Sequence, residues 1–266
     1  MQIKEISKLE EMARQIRKDI IMMLAEAGSG HPGGSLSATD LMTVLYFNKL
    51  QHDPKNPEWE ERDRVIFSKG HVCPLLYACL ARSGYFPVEE LNTLRKLHSR
   101  LDGHPCKTKG LPGVEVSSGS LGQGLSVGVG MALGLKKLKK DSEGEVQLAL
   151  DNLCGILDYN KLQIDGWVED VMGLEPLAEK WRAFRWNVIE IDGHSIKEIL
   201  QAYDRAAVVK GTPSLILAHT IKGKGVSFME DVAGWHGKAP TKEQAELALK
   251  ELEITLSKED IEDARA

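Results

Sequence analysis

The stretch Leu150–Gly166, LDNLCGILDYNKLQIDG, decides the fold class of this chain. An apolar run that ends at Leu157 changes abruptly into a polar segment that contains Asp158 and Asn160. A short apolar run bounded by turn residues indicates a strand buried on both faces, as in a parallel sheet. Ligands of open α/β sheets bind just beyond the carboxyl ends of such strands, which is where Asp158 and Asn160 fall.

Asn160 also points to a class of ligand. A side-chain amide oxygen near main-chain carbonyls suits a hard cation such as Mg²⁺ or Ca²⁺ and does not suit zinc. An ordinary Asn/Asp turn after a strand would place the same residue types there. On this stretch alone both interpretations stay open.

The composition is that of a globular protein. The chain has 266 residues, of which 42% are hydrophobic and 27% charged. A net charge of −5 argues against a general nucleic-acid binder, which needs a basic surface. The sequence contains no CxxC pair, so zinc and thioredoxin-like sites are disfavoured; its cysteines are Cys73, Cys79, Cys106 and Cys154. With no signal peptide and no long uncharged apolar run, we expect a cytoplasmic location without membrane contact.

Periodicity along the rest of the chain predicts alternating helices and strands. Apolar residues at three- and four-residue steps predict a helix over Ile3–Ala27 that ends at Gly28. Ser37 with Asp40 matches a capping box that would start a helix through Leu50. Further helices are predicted over 87–97, 174–184, 196–209 and 241–252, and strands over 65–67, 186–191 and 214–218. This alternation predicts one domain over residues 1–266: a doubly wound, mainly parallel α/β sheet with helices on both faces.

Four histidines share one loop chemistry. His31, His71, His104 and His236 each lie beside glycine or proline. Glycine-rich loops let a ligand approach the main chain, and imidazoles donate hydrogen bonds to phosphate and hydroxyl oxygens. Scattered placement of the eight histidines is the alternative. Together with Asn160, the histidines predict a diphosphate cofactor held through a metal ion.

Motifs over nearly the whole chain resemble one family. In order, they are SGHPGGSLSATDLM (29–42), FSKGH (67–71), GHP (103–105), SSGSLGQGLSVGVGMALG (117–134), LDYNKLQIDG (157–166), EIDGH (190–194), HTIKGKG (219–225) and WHGK (235–238). The chain resembles the N-terminal, diphosphate-binding part of transketolase, in the form in which the enzyme is split over two chains. The resemblance implies the thiamine diphosphate-binding fold.

The resemblance also implies a reaction and roles for the histidines. It implies thiamine diphosphate with Mg²⁺ or Ca²⁺, and transfer of a two-carbon ketol unit from a ketose phosphate to an aldose phosphate, as in the pentose phosphate pathway. His71 and His236 would contact the diphosphate. His31 and His104 would face the reacting carbon and the sugar hydroxyls. His31, His104 and His236 would thus be catalytic, and His31 would also contact the cofactor.

The remaining implied roles concern the other end of the cofactor and the partner. Gly119 and Leu121 would line the aminopyrimidine. Asn160 would ligate the metal by its side chain and Leu162 by its carbonyl. The glutamate that activates the aminopyrimidine belongs to a following domain of the family. We therefore expect a C-terminal partner chain with the pyrimidine-binding domain, self-association into a dimer, and a heterotetramer with active sites between subunits.

One segment departs from the family pattern. The family has a strand that ends in Gly-Asp-Gly, followed by a helix, just before the LDNL strand, and that Asp is a metal ligand. Here residues 140–150 read KDSEGEVQLAL, so roughly two dozen residues, a strand and a helix with their loops, are missing around 141–150. Glu143 or Glu145 could take the place of that Asp. Without a supporting strand, however, neither would be held precisely enough for a hard-cation site. The segment is either truly deleted or omitted from the sequence.

The departure leaves a second function open. A non-catalytic transketolase-like scaffold or regulatory subunit would keep the fold and bind the cofactor weakly because the metal motif is missing. A third relative, 1-deoxyxylulose-5-phosphate synthase, is a single long chain and is disfavoured by length.

Overall fold

The computed structural model describes residues 2–138 and 150–263 of the chain. Nearly all of the departing segment 141–150 therefore lies outside the described residues, as do the alternatives Glu143 and Glu145. In the part that is described, no helix is long and apolar enough to cross a membrane.

In the described residues, the second half of the chain contains a parallel sheet of three strands. Its strands are β1 (Cys154–Tyr159), β2 (Asn187–Asp192) and β3 (Ser214–His219), in the spatial order β1-β3-β2. Every pairing is parallel, and Ile216 of β3 is in register with both Ile156 and Ile189. The strand predicted from the stretch 150–166 is therefore present, and the polar residues follow its carboxyl end.

Helices cover both faces of this sheet. Ile216 packs with Ile156 towards α8 (Ile196–Val208), in the main core. Leu217, the next residue along β3, packs in a separate cluster with α7 (Leu177–Ala183). Successive strand residues point to opposite faces, so the sheet lies between two helical layers. The predicted doubly wound α/β architecture is confirmed.

The first half of the chain is helical and is organised around α1 (Ile6–Ala27). Leu9, Ile16 and Leu24 of this helix are fully buried, and α1 packs against α4 (Cys73–Ser83) and α9 (Lys242–Asp263) among others. Gly28 ends α1 in the left-handed conformation with φ 61°, as the sequence predicts. The other helices are α2 (Pro32–Ser37), α3 (Thr39–Val44), α4 (Cys73–Ser83), α5 (Gln123–Leu138), α6 (Val168–Val171) and α9 (Lys242–Asp263).

The predicted capping box at Ser37 is wrong. Ser37 is the last residue of α2, and its hydroxyl donates to the Gly34 carbonyl (3.2 Å) and to the Asp158 carboxylate (2.6 Å). Asp40 lies inside α3 and accepts hydrogen bonds from Arg17. Both side chains that match the capping pattern serve contacts with distant residues instead. Short helices and a π-helical turn replace the single helix predicted through residue 50.

Two further predicted elements differ. Val65–Phe67 is not a strand, because a strand needs a hydrogen-bonded neighbour and no described segment pairs with these residues. The helix predicted over 87–97 is a short 3₁₀ helix, Val88–Thr93. Arg95 and His98 have positive φ values of 60° and 66°, which end any regular helix there.

Candidate functional site

Three imidazoles from distant parts of the chain meet in one cluster. His31 precedes α2, His71 lies in a 3₁₀ turn before α4, and His236 follows a 3₁₀ turn after β3. The ring centroids of His31 and His71 are 5.0 Å apart, those of His71 and His236 5.1 Å, and those of His31 and His236 5.5 Å. The expected convergence of these residues is present. We call the three residues the histidine cluster.

His104 lies at the rim of the histidine cluster. Its charge influences the pKa of both His31 and His71, so it is their near neighbour. A Cβ placed on Gly119 would lie 3.5 Å from His104 Cδ2. His104 and Gly119 are exposed, and Leu121 is 65% exposed. The residues predicted for the aminopyrimidine end therefore form an open side of the site.

The histidine cluster is neutral near physiological pH. Burial, reinforced by neighbouring positive groups, lowers the pKa of His71 to about 3 and that of His236 to about 4. Burial also lowers the pKa of His31. Desolvation disfavours the charged imidazolium, so these rings act as neutral hydrogen-bonding groups.

Lys222, which sequence reasoning missed, brings a cation to the cluster. It lies in the loop after β3 and is only 1% exposed. Its Nζ donates to His236 Nδ1 at 3.0 Å and to the Gln163 carbonyl at 3.4 Å. Burial lowers the pKa of Lys222 to about 8. The motif HTIKGKG contains this lysine, but nothing in the sequence shows that its ammonium group is buried.

Close packing explains one glycine of the first histidine loop. A Cβ on Gly33 would lie 2.9 Å from Lys222 Cε and 3.0 Å from the Trp235 carbonyl oxygen. Any side chain at Gly33 would therefore push against the lysine stem. The glycine lets the loop that carries His31 pack on the loop that carries Lys222.

Asp158, at the carboxyl end of β1, ties the elements of the site together. Its carboxylate accepts hydrogen bonds from Ser37, Lys69 and Thr220. Burial alone would raise the pKa of Asp158, but the Lys69 charge and these hydrogen bonds outweigh it, and the pKa is lowered. With both oxygens engaged, Asp158 is a structural anchor of the site.

Asn160 and Leu162, the predicted metal ligands, lie together in the turn after β1. Asn160 Nδ2 donates to Ser37 Oγ at 3.3 Å, and its Oδ1 accepts from the Leu162 N–H at 3.2 Å. Among the side chains that the structure describes, no group of three or more His, Cys, Asp or Glu could hold a metal ion. One amide oxygen and one carbonyl are part of the six or more oxygen ligands that Mg²⁺ or Ca²⁺ takes. The described residues therefore fit a cation only in part.

A buried orphan atom shows that the cluster fits a polar ligand. His31 Nδ1 is buried and has no hydrogen-bond partner within the described residues, and the same holds for Ser118 Oγ beside Gly119. Buried polar atoms are almost always paired, and an unpaired one calls for a missing partner. A polar group bound at the histidine cluster would give His31 Nδ1 a partner, so the cluster fits a polar ligand such as a diphosphate.

Comparison with known proteins also points to a diphosphate-containing cofactor. The family described as "Transketolase, thiamine diphosphate binding domain" matches residues 8–146 and 142–257. The 6-deoxy-6-sulfo-D-fructose transketolase subunit SqwG of Clostridium sp. (strain MSTE9) is 43% identical over 265 residues, covering 92% of this chain and 96% of that protein. An apulose-4-phosphate transketolase subunit from Phocaeicola vulgatus is 39% identical, covering 96% of this chain and 97% of that protein.

The chain belongs to the transketolase family.

Solved transketolases share its fold. The structure matches transketolase from Campylobacter jejuni with a TM-score of 0.85 and 33% identity, covering 94% of this chain and 43% of that one. Human transketolase is 36% identical and is covered to 42% of its length. The chain thus matches the related transketolase subunits in length and spans less than half of the single-chain enzymes. It corresponds to the N-terminal subunit of a split transketolase.

A buried charge network supports the lysine loop of this transketolase subunit. Arg17 Nη1 and Nη2 donate to Asp40 at 2.9 and 2.7 Å, and His194 Nδ1 donates to Asp40 at 2.8 Å. The Ile221 N–H in turn donates to His194 Nε2 at 2.8 Å. Burial alone would raise the pKa of Asp40, but Arg17 and His194 bring it down to about 2. The network therefore fixes the loop that carries Lys222 to the helical core, and nothing in the sequence spacing reveals it.

Proposed function

We propose that this chain is the thiamine diphosphate-binding subunit of a two-chain transketolase and moves a two-carbon ketol unit between sugars together with a C-terminal partner chain. The observation that carries the proposal is the histidine cluster, in which His31 Nδ1 has no partner among the described residues and His236 accepts a hydrogen bond from the buried Lys222. Bound thiamine diphosphate supplies a thiazolium carbon nucleophile and an electron sink. The chain's own residues bind and orient the cofactor.

The diphosphate would be held by one cation and two neutral imidazoles. Lys222 donates to Nδ1 of His236, so the proton of neutral His236 is on Nε2, where it can serve a phosphate oxygen. His71 lies 5.1 Å from His236, ring to ring, and can serve the same group. An anion bound there would raise the pKa of Lys222 from about 8, which keeps the lysine charged.

The substrate would enter on the open side of the cluster. His104 is exposed and adjoins Gly119, and His31 is close both to His104 and to the histidines proposed for the diphosphate. In this arrangement His31 and His104 hydrogen-bond the sugar hydroxyls and the oxygen on the reacting carbon. The related subunits are named for sugars with a sulfo or a phosphate group. We propose a ketose of that kind as donor, with pentose phosphates as a second class of substrate to assay.

The partner chain would cover the open side and supply the groups that act on the aminopyrimidine. Leu121 is 65% exposed, and Leu125 and Val127 of α5 are also exposed. Exposed apolar residues that are contiguous mark an interface. Gly130 and Gly134 present an equally bare surface, with no described atom within 4 Å of an added Cβ. We propose that α5 lies at the interface of the dimer and of the partner.

A divalent cation, Mg²⁺ or Ca²⁺, would be held by Asn160 Oδ1 and the Leu162 carbonyl, with the diphosphate as a further ligand. Because these residues supply only part of a cation site, a weakly binding scaffold subunit is the second candidate function. The two functions differ in cofactor binding, which is measurable apart from activity.

Calorimetric titration of the chain with its C-terminal partner separates the two functions. The proposal predicts saturable binding of thiamine diphosphate and ketol transfer that requires both chains. The chain titrated alone is the control for the partner's contribution. No heat at millimolar cofactor with the partner present would instead establish the scaffold.

A further inference from the structure

A large groove runs along the free edge of β1. It encloses about 1310 Å³, and its walls include Leu153 and residues 154–158 of β1, the segment 65–67, and residues of α5 between Gly124 and Leu135. Within the described residues β1 pairs only with β3, so its other edge carries no strand. We call this space the β1 groove.

The β1 groove reaches both faces of the sheet. Leu157 and Trp181 line it on the α7 side. Ile156, Tyr203 and Ala206 line it on the α8 side. The groove therefore lies beside β1, between the two helical layers, where a further strand of the sheet would lie. A ligand bound to one face of the sheet would occupy a different place.

β1 has the sequence of an inner strand but the exposure of an edge strand. In β3, which has a neighbour on each side, residues 214–218 are all buried. In β1 no residue is fully buried, although CGIL is as apolar as its counterpart. Parallel strands that are apolar on both faces normally lie inside a sheet. Native edges are usually protected by lysine, proline or a bulge, and none of these occurs in Cys154–Tyr159.

The family comparison points to the same place. The two stretches that match the transketolase family meet at residues 142–146, shortly before β1. The alignment with the Clostridium subunit extends over 265 positions but takes up only 92% of this 266-residue chain. The relative therefore carries residues inside the aligned stretch that this chain lacks.

We propose that the β1 groove accepts one β-strand from another polypeptide, parallel to β1. The strand that fits is about as long as the six residues of β1. It is uncharged and apolar on both faces, because Ile156 and Leu157 present apolar surface to opposite sides. The charged residues of the groove lining include Lys69 and Asp158 at the carboxyl end of β1, and Asp151, paired with Lys136, before the other end. Recognition combines main-chain hydrogen bonds with apolar burial.

A synthetic peptide with a central Val-Ile-Leu-Val-Ile-Val run and lysines at both ends tests this proposal on the full chain. Isothermal calorimetry should give saturable binding, and hydrogen exchange should show new protection of the amides of Gly155 and Leu157 or of their neighbours in β1. The same peptide, N-methylated at alternate residues on the edge that pairs, should bind at least tenfold more weakly, because it lacks the N–H donors. No binding at about 1 mM (a free energy near −4 kcal/mol), or equal binding of both peptides, would overturn the proposal.

Two glycines of α5 provide a matched pair of variants. A Cβ on Gly128 would lie 3.5 Å from Leu153 Cδ1 and 3.8 Å from Ile66 Cδ1, so Gly128→Leu fills the groove. No described atom lies within 4 Å of a Cβ on Gly130, so Gly130→Leu makes the same chemical change outside the groove. Gly128→Leu should weaken binding of the peptide at least tenfold, and Gly130→Leu should leave the affinity unchanged.

Two results at this stage would contradict the proposal. One is binding to Gly128→Leu that matches the wild type. The other is β1 amides already protected in the free chain, because the chain itself then fills the groove. If circular dichroism shows that Gly128→Leu does not fold, the comparison of the N-methylated and unmodified peptides on the wild-type chain still tests the proposal.

Discussion

The two ends of the candidate site differ in how firmly they are held. At the histidine end, Lys222 is 1% exposed and the rings of His31, His71 and His236 are in contact. At the amide end, Asn160 lies in a turn beyond the half-buried β1, and Leu121 is 65% exposed. The difference teaches that the histidine end of the site is held firmly by packing among the described residues, while the amide end has weaker support.

The cause of the difference is the packing behind each end. The histidine end packs near α1 and α4, whose buried residues belong to the main core, and the Arg17–Asp40–His194 network holds its lysine loop. The amide end rests on β1, whose outer edge borders the open β1 groove. A ligand set keeps its geometry only when the residues behind it are packed. Four substitutions test this comparison, in order of decreasing expected effect.

Arg17→Leu should destabilise the fold by about 3–5 kcal/mol, because it leaves the Asp40 carboxylate buried without its main partner. Urea unfolding measures the loss. Lys8→Leu is the control on the same helix, since the Lys8–Glu5 pair is exposed and should contribute about 0–1 kcal/mol. Equal losses in the two variants would show that the network does not support the histidine end.

His71→Ala should weaken thiamine diphosphate by about 10–100-fold, which corresponds to about 1.5–3 kcal/mol for a hydrogen bond to a charged group. Calorimetric titration measures the affinity. His98→Asn is the control, because His98 is exposed and asparagine tolerates its positive φ of 66°. A smaller effect for His71→Ala than for the Asn160 variant below would reverse the comparison.

Lys222→Met should weaken binding of thiamine diphosphate about tenfold at pH 7, a loss of about 1.4 kcal/mol. It should also flatten the pH dependence of that affinity above pH 8. The charged lysine attracts the diphosphate, and its pKa in the free chain is about 8. Wild-type affinity should therefore be constant below that pH and should fall as pH rises through it. Titrations from pH 7 to pH 10 test this, and a wild-type affinity that rises with pH would contradict the assigned role.

Asn160→Ala should have the smallest effect and only in the presence of a divalent cation. Mg²⁺ should improve cofactor affinity less than about tenfold in the wild type, because the described residues supply few of its oxygen ligands. The variant should lose that gain and match the wild type in EDTA. A hundredfold effect of Mg²⁺ would show that the amide end is as well formed as the histidine end.

Local patterns in the sequence predict the sheet and the site, and they fail where a distant partner decides. The apolar run before Asp158 predicts β1, and the glycine-flanked histidines predict three residues that do meet. The Ser37–Asp40 pattern is misleading because the same side chains bond Asp158, Arg17 and His194 instead. Val65–Phe67 has the composition of a strand, but pairing needs a neighbour that no local pattern reports.

The amino-acid sequence by itself determines the pattern of apolar and polar residues that predicts the strands, the glycine-rich loops that carry the histidines, and the membership in the transketolase family. Only the tertiary structure decides that Lys222 is buried on His236 and that, among the described residues, His31 Nδ1 has no partner and β1 pairs along one edge alone. The physical reason is that burial and pairing depend on contacts between residues far apart in the chain. A residue's type and its neighbours in sequence state which contacts are possible, and packing selects among them.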